Sequence, residues 1–171
     1  MNDKLSVSVE TIKVLRERTS AGVMDCKRAL QEADGDMEKA EEILKALGVA
    51  SAEKKASRAT NQGLVESYVH SGGRIAAIVE VNCETDFVAR TEEFKSLAHD
   101  LAMQVAAMSP QYVDSADIPE DEEVTPDQVC LMQQPFIKDP SKSIDERVKE
   151  AIGVLGENVR VKRFSRFALG E

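Results

Sequence analysis

Three residue types that together can perform nucleophilic catalysis fall near one predicted pair of strands: Cys83, His70 and Asp86. A thiol attacks a substrate only where a base activates it and donors stabilise the charge that develops on the substrate oxygen. Cys83, however, continues the apolar face of its predicted strand, where a cysteine behaves as a small buried hydrophobe. No nearby loop offers an oxyanion site, so we predict that the chain is not an enzyme.

The turn that follows Cys83 offers a different chemistry, recognition by an aromatic side chain. The strand pattern ends there, and Thr85 or Asp86 can accept hydrogen bonds from the first backbone N–H groups of a following helical turn. Phe87 stands at the mouth of this turn, flanked by charge rather than by other aromatic residues. Such a ring either packs into the protein's own core or enters the core of another molecule, and the sequence leaves both alternatives open.

Two predicted strands position this turn. Apolar residues alternate at period two over residues 74–83, which is typical of a half-buried strand. A second strand is predicted over residues 64–71, and Gly72 and Gly73 between the two suit a tight turn. The pair therefore forms an antiparallel hairpin whose open end leads into the Phe87 turn.

The remaining pattern predicts a third strand and further helices. The strand covers residues 158–169, and its alternation slips near Arg163 and Phe164, which indicates a β-bulge. Helices are predicted over residues 92–108, 125–134 and 144–155. Because strands and helices are segregated rather than alternating, the predicted fold class is α+β, with a three-stranded antiparallel sheet flanked by helices.

The N-terminal part is predicted to form three short helices, over residues 8–19, 23–33 and 37–47, with Gly48 ending the third. Each apolar stripe is too short for an isolated helix, so the three must pack together as a bundle of the ubiquitin-associated type. Residues 51–62 lack an apolar stripe and are predicted to be a linker, in part helical. The predicted domains are thus a UBA-like bundle over residues 1–50 and a sheet domain over residues 63–171.

The net charge of −9 opposes binding to nucleic-acid phosphates, which requires clustered lysine and arginine. Seven of the 31 acidic residues lie within residues 114–127, and without them acids and bases would be nearly balanced. Pro119 and Pro126 mark this segment as a solvated loop, and it lacks the ligand spacing of a calcium loop. We therefore expect no direct nucleic-acid partner and no metal site.

Hydropathy and cysteine usage point to the cytoplasm. No apolar run approaches the ~20 residues that a bilayer crossing needs, and the first residues lack a signal-peptide pattern, so no membrane partner is expected. The three cysteines are widely spaced and odd in number, which predicts free, mostly buried thiols. No glycine-rich loop followed by Lys-Ser/Thr is present, and we expect no bound cofactor.

Four segments, in family order, resemble signatures of the bacterial elongation factor Ts family. Residues 15–30 read Leu-Arg-Glu-Arg-Thr-Ser-Ala-Gly-Val-Met-Asp-Cys-Lys-Arg-Ala-Leu, and residues 82–88 read Asn-Cys-Glu-Thr-Asp-Phe-Val. The other two segments lie at residues 67–75, with Tyr-Val-His, and at residues 134–142, with Gln-Pro-Phe-Ile-Lys-Asp-Pro. Four matches spread over nearly the whole chain are more specific than one short motif.

The resemblance implies a guanine-nucleotide exchange factor that binds the translational GTPase elongation factor Tu and promotes GDP release. The resemblance implies that Asp86 and Phe87 form the element inserted at the nucleotide site of the partner, with Thr85 and Val88 beside them. This element disturbs the partner's magnesium and phosphate contacts. The alternative function is an adaptor, in which the bundle tethers a partner without altering its nucleotide.

Further partner contacts are implied for Met24 and Val23, at the start of the second helix, and for His70. By spacing, Met24 and Val23 can equally be core residues, and His70 can equally be a solvated side chain. Longer family members carry two sheet subdomains, whereas this chain has room for one. A sheet with an uncovered apolar face also favours a second copy, so we expect a homodimer that restores the missing pair.

Overall fold

The computed structural model describes residues 7–171. The helices are α1 (Val9–Thr19), α2 (Val23–Glu32), α3 (Met37–Lys55), α4 (Asp86–Ala89), α5 (Glu92–Met108), α6 (Pro126–Val129) and α7 (Ile144–Leu155). The strands are β1 (Gln62–Val69), β2 (Ile75–Cys83), β3 (Pro135–Phe136), β4 (Asp139–Ser143) and β5 (Val159–Ala168). Helices and strands occupy separate layers, and the predicted α+β class is confirmed.

The first three helices form a small bundle, as the sequence predicts. Ser8 Oγ accepts a hydrogen bond from the Thr11 N–H at 3.1 Å, and an Asp36 oxygen accepts one from the Lys39 N–H at 3.1 Å, which start α1 and α3. The helices share a core of buried small and branched side chains: Leu15, Cys26, Ala29, Leu30, Ala33 and Ala40. This shared core is what stabilises helices too short to persist alone.

The predicted end of the third helix at Gly48 is wrong, because α3 continues to Lys55. A Cβ atom placed on Gly153 of α7 would lie 3.1 Å from the Gly48 Cα atom, so these glycines mark a close approach of two helices. Ala52, within the predicted linker, is buried in the core of the sheet domain. The division of the chain into domains over residues 1–50 and 63–171 stays a prediction.

The main sheet has the strand order β1-β2-β5, and both pairings are antiparallel. In the pairing of β1 with β2, Gln62 lies opposite Cys83 at one end and Val69 lies opposite Ala76 at the other. Gly72 and Gly73 have φ values of 87° and 67°, which side chains with a Cβ rarely adopt, so the predicted hairpin turn is confirmed.

The bulge in the third strand is also confirmed, within about one residue of its predicted place. Glu80 pairs with Arg163, but the next residue, Val81, pairs with Val161, which leaves Lys162 as the extra residue of β5. The insertion restores the alternation, so that Phe164 again faces the core.

The larger core lies between one face of this sheet and the two long helices α5 and α7. It contains the side chains of Ala77, Val79, Val81, Cys83, Phe94, Leu97, Leu101, Val105, Ile144, Val148 and Ile152. Met108, the last residue of α5, is exposed at the helix end. The thiols of Cys26, Cys83 and Cys130 are free and buried, as predicted.

Residues 125–143 depart most from the predicted pattern. The predicted helix over residues 125–134 is shorter than expected, because α6 ends at Val129 and a 3₁₀ turn, Leu131–Gln133, follows it. The antiparallel β3–β4 hairpin was not predicted, since its strands are short and contain prolines. Gln104 secures it, because its Oε1 accepts a hydrogen bond from the Ile137 N–H at 2.9 Å.

The opposite face of the sheet carries exposed apolar side chains. The β1-β2-β5 register aligns Val69, Ala76 and Phe167 in one row, and the Phe167 side chain is 67% exposed. Val65 and Ile78 lie on the same face and are also exposed. Within residues 7–171, no helix combines the length and the hydropathy required to cross a membrane.

Candidate functional site

The aromatic ring of Phe87 points away from the protein. Its side chain is 78% exposed, although the residue sits between the buried end of β2 and the buried Ala89. The ring belongs to neither core, so the alternative in which Phe87 packs inward is excluded. A large exposed aromatic on a short, well-anchored helix is available for contact with another molecule.

The short helix α4, which carries Phe87, is held in place by its N-cap and by the residues that pack inward from it. Thr85 has an extended backbone, and its Oγ1 atom accepts a hydrogen bond from the Val88 N–H at 3.4 Å, so Thr85, of the two candidates from the sequence, is the N-cap. Val88 packs against the core and Ala89 is buried. Because successive helical residues point about 100° apart, anchoring Val88 and Ala89 inward turns Phe87 outward.

Asp86 is half-exposed and forms an ion pair with Arg90, with 2.7 Å between Oδ2 and Nη2. Exposed pairs one helical turn apart contribute only about 0.3–0.5 kcal/mol, because water competes for both charges. The carboxylate can therefore leave Arg90 for a stronger partner at little cost. Asp86 and Phe87 together present one acid and one aromatic ring on a single exposed turn.

A second carboxylate, which the sequence analysis missed, lies behind this turn. Glu157 Oε2 accepts a hydrogen bond from the Thr85 N–H at 3.0 Å, and Oε1 accepts one from the Thr85 hydroxyl at 2.6 Å. Glu157 follows α7 in the chain, 72 residues from Thr85. No local pattern relates the two, because only the β2–β5 pairing brings them together.

The neighbouring residues Glu84 and Asn158 make a second connection, in which the turn provides the carboxylate and the loop provides the N–H group. Glu84 Oε1 accepts a hydrogen bond from the Asn158 N–H at 2.7 Å, and Arg58 lies 3.3 Å from the same oxygen. The hydrogen bond from Asn158, followed by the Arg58 charge, holds the pKa of the Glu84 carboxyl below its usual value. The turn is thus tied to the loop between α7 and β5 through two carboxylates.

The geometry excludes nucleophilic catalysis by Cys83 and His70. Such catalysis would require neighbouring hairpin strands to bring the two side chains together, but Cys83 pairs with Gln62, whereas His70 follows Val69 at the far end. Eight strand residues at about 3.3 Å each separate the two by roughly 25 Å. Burial first, and then the Glu157 charge, raise the pKa of the Cys83 thiol to about 11, so it stays protonated.

His70 belongs to a separate cluster, at the end of the sheet opposite Phe87. Its Nδ1 atom lies 3.1 Å from the Tyr68 hydroxyl, and the Tyr68 ring meets His99 edge to face at 5.7 Å between centroids. His99 is in turn 3.2 Å from a Glu66 oxygen. The His70 side chain is exposed, but the fold does not bring it to the Asp86–Phe87 turn within one chain.

Met24 and Val23 lie on the N-terminal bundle. Both are in the first turn of α2 after Gly22, where the side chains are 64% and 48% exposed, respectively. The buried side of α2 consists of Cys26, Ala29 and Leu30. The core alternative is therefore wrong for both residues, and they form an apolar surface distinct from the Phe87 turn.

The acidic segment over residues 114–127 is largely exposed and is anchored at its start. Asp114 caps a 3₁₀ turn, Ser115–Asp117, and Tyr112 donates a hydrogen bond from its hydroxyl to Glu122 at 2.8 Å. Across residues 7–171, no group of three or more His, Cys, Asp or Glu side chains is arranged to hold a metal ion.

Comparison with known proteins gives a consistent result. The family model described as elongation factor Ts matches residues 12–126. The chain is 47% identical to elongation factor Ts of Carboxydothermus hydrogenoformans, over 96% of this chain and 90% of that protein. It is 47% identical to elongation factor Ts of Thermotoga neapolitana, over 98% and 99% respectively, and 45% identical to that of Thermoanaerobacter sp. strain X514, over 96% of both chains.

Proposed function

The chain belongs to the elongation factor Ts family, and from that premise we propose that it promotes GDP release from elongation factor Tu through the exposed Asp86–Phe87 turn. Members of this family are nucleotide exchange factors rather than catalysts of a chemical reaction. The observation that carries the proposal is the Phe87 side chain, 78% exposed on a turn anchored to a buried strand. A ring held in this way enters an apolar crevice on a partner without first leaving its own core.

Such a mechanism requires no covalent chemistry and is driven by binding free energy alone. A factor that prefers the nucleotide-free GTPase weakens GDP binding by the same ratio, because linked equilibria are reciprocal. A ten-thousandfold weakening takes about 5.5 kcal/mol of differential binding. Burial of one aromatic ring supplies about 1.5–3 kcal/mol, so Phe87 cannot act alone.

Asp86 adds an electrostatic component in this proposal. Its carboxylate leaves the weak pair with Arg90 and approaches the magnesium and phosphate contacts of the bound nucleotide. A carboxylate there competes for the cation and repels the phosphates, and both effects favour GDP release. Thr85 and Val88 take part as the cap and the anchor of the same turn.

Met24, Val23 and His70 supply the remaining, distributed contacts. The first two offer an exposed apolar surface on α2, and methionine adapts to irregular partner surfaces because it is unbranched. His70 lies roughly 25 Å from the Phe87 turn, as eight strand residues require, so it meets a different region of the partner. We propose that the N-terminal bundle is of the UBA-like type and docks on the GTPase beside the sheet domain.

The outer face of the sheet supports a homodimer. Val65, Val69, Ile78 and Phe167 leave an apolar surface uncovered on one side of a three-stranded sheet. Two copies that pack face to face cover it with one self-complementary interface. Such a dimer provides two sheet units, the number that longer members of the family carry in a single chain.

The proposed setting follows from the partner. Elongation factor Tu acts in translation, so we place the chain in the cytoplasm. It works there by protein contact, without a cofactor, a membrane or direct binding to nucleic acid.

The test measures release of fluorescent GDP from elongation factor Tu with the full chain and its Phe87→Ala variant. We expect release to slow by about tenfold or more, because the ring supplies differential binding. Val124→Ala, an exposed apolar residue of the acidic segment, is the control and should leave the rate unchanged. If Phe87→Ala releases GDP as fast as the wild type, Phe87 has no part in the mechanism. If the wild-type chain binds elongation factor Tu but does not accelerate GDP release, the adaptor function is indicated instead.

A further inference from the structure

The loop that joins α7 to β5 contacts the start of the Phe87 turn through Glu157 and Asn158. Gly156 ends α7 with φ +75°, and its N–H donates a hydrogen bond to the Ile152 carbonyl. The chain then reverses, and Glu157 and Asn158 come beside the end of β2 before β5 starts. These two residues lie 72 and 74 positions from their partners Thr85 and Glu84.

Both oxygens of the Glu157 carboxylate are used on one residue. The Thr85 N–H reaches Oε2 at 3.0 Å and the Thr85 hydroxyl reaches Oε1 at 2.6 Å. Charged acceptors make the stronger hydrogen bonds, and two of them fix both the backbone and the side-chain rotamer of Thr85. Since the hydroxyl proton is directed to Glu157, the lone pairs of Oγ1 remain free to accept the Val88 N–H at 3.4 Å.

The surrounding contacts keep this loop itself in place. The Asn158 side chain is buried and donates a hydrogen bond to the Arg58 carbonyl at 2.9 Å. The Asn158 N–H donates to Glu84, and the Cys83 thiol donates to the Thr85 carbonyl at 3.1 Å. The turn is therefore held from the loop side, from the strand side and from the segment that follows α3.

Phe87 contributes nothing to this network, because its ring makes no core contact. Its direction in the free protein depends on α4, and the start of α4 depends on the Thr85 cap. A recognition element binds best when its conformation is fixed before contact, since less freedom is lost on binding.

We propose that Glu157 is a positioning residue, which holds Thr85 as the cap of α4 and so orients Phe87 for the GTPase. The inference rests on the proposed function of Phe87 and adds a residue that touches neither the partner nor the nucleotide. Removal of the Glu157 carboxylate frees the Thr85 hydroxyl to rotate, and the Phe87 turn then samples several conformations.

The experiment compares Glu157→Ala and Glu157→Gln in two backgrounds, with Phe87 present and with Phe87→Ala. With Phe87 present, we expect Glu157→Ala to slow GDP release about as much as Phe87→Ala does, and in the Phe87→Ala background to have no further effect. Glu157→Gln keeps one acceptor oxygen and should give an intermediate rate. Asp139→Ala is a matched control, because Asp139 also accepts a backbone N–H and a hydroxyl, both from Ser141.

Amide hydrogen exchange in the free protein provides a readout that does not involve the GTPase. We expect exchange at the Thr85 and Val88 amides to quicken by about tenfold or more in Glu157→Ala and to stay unchanged in Asp139→Ala. Equal slowing of GDP release in both Phe87 backgrounds overturns the inference, and so does unchanged amide protection. If Phe87→Ala itself has no effect on release, the proposed function fails, while the amide result still decides whether Glu157 positions the turn.

Discussion

Gly48 of α3 and Gly153 of α7 touch backbone to backbone, with only 3.1 Å between the Gly48 Cα atom and the position of a Cβ on Gly153. Near this crossing, Lys45 pairs with Glu146 at 3.1 Å. The helix α3 contributes Ala40 to the core of the bundle and Ala52 to the core of the sheet domain. One continuous helix therefore contributes to both the core of the bundle and the core beneath the sheet.

Alanine substitutions at these two glycines should have opposite effects on stability. Alanine is favoured over glycine in a helix by about 1 kcal/mol. At Gly48 the new Cβ meets only the Lys149 carbonyl, at 3.8 Å, so Gly48→Ala should raise the free energy of unfolding by about 0.5–1 kcal/mol. At Gly153 the new Cβ meets backbone, so Gly153→Ala should lower it by about 1 kcal/mol.

Urea unfolding, followed by circular dichroism, measures both changes in stability. A stabilising effect of the same size at both positions would show that α3 and α7 are not in close contact at this point.

Charge on the outer sheet face should separate the proposed dimer. Phe167→Glu places a carboxylate on the exposed apolar face, and burying that unpaired charge in a dimer interface is strongly unfavourable. We expect light scattering at micromolar concentration to give the mass of two chains for the wild type and of one chain for the variant. Val9→Lys, an equally exposed valine on α1, should leave the mass unchanged. A monomeric wild type would reject the dimer.

The link between Glu84 and Asn158 should weaken in acid. The folded protein lowers the pKa of Glu84, first through the Asn158 N–H and then through Arg58, so the carboxylate stabilises the fold at pH values above its ordinary value of 4.5. This stabilisation is lost as the pH falls through the lowered folded pKa. We expect Glu84→Gln to be less stable than the wild type at pH 7, and the difference to shrink below about pH 4 in urea unfolding. A difference that stays constant over this range would contradict the assignment.

The Cys83 thiol should be inert in the folded protein. Burial and the nearby Glu157 carboxylate raise its pKa to about 11, and a buried, protonated thiol is a poor nucleophile. We expect iodoacetamide at pH 8 to label Cys83 only after unfolding, as mass spectrometry of the peptide would detect. Cys83→Ser should leave GDP release within about twofold of the wild-type rate, since the thiol has no chemical role. Rapid labelling of the native chain would show that this end of β2 is open to solvent.

Local signals in the sequence determined most of the elements. The alternation of β2, the Gly72–Gly73 turn, the bulge of β5 and the Thr85 cap each depend on residues close together in the chain, and all are present. The helix end predicted at Gly48 is wrong, because a glycine that ends a helix and a glycine that admits a neighbouring helix look alike in sequence. The β3–β4 hairpin has no clear signal in the sequence, because its strands are short and each contains a proline.

The residue types of the candidate site were readable from the sequence, but its geometry was not. The sequence identifies Asp86 and Phe87 as an acid and an aromatic ring at a strand end, and it leaves the direction of their side chains open. The tertiary structure decided the direction of these side chains, because Val88 and Ala89 pack inward and Glu157, 72 residues away in the chain, holds Thr85. It also separated His70 from Cys83, since strand register depends on the whole hairpin. Residue type and local period are properties of neighbours in the chain, whereas exposure and direction depend on which distant segments pack around them.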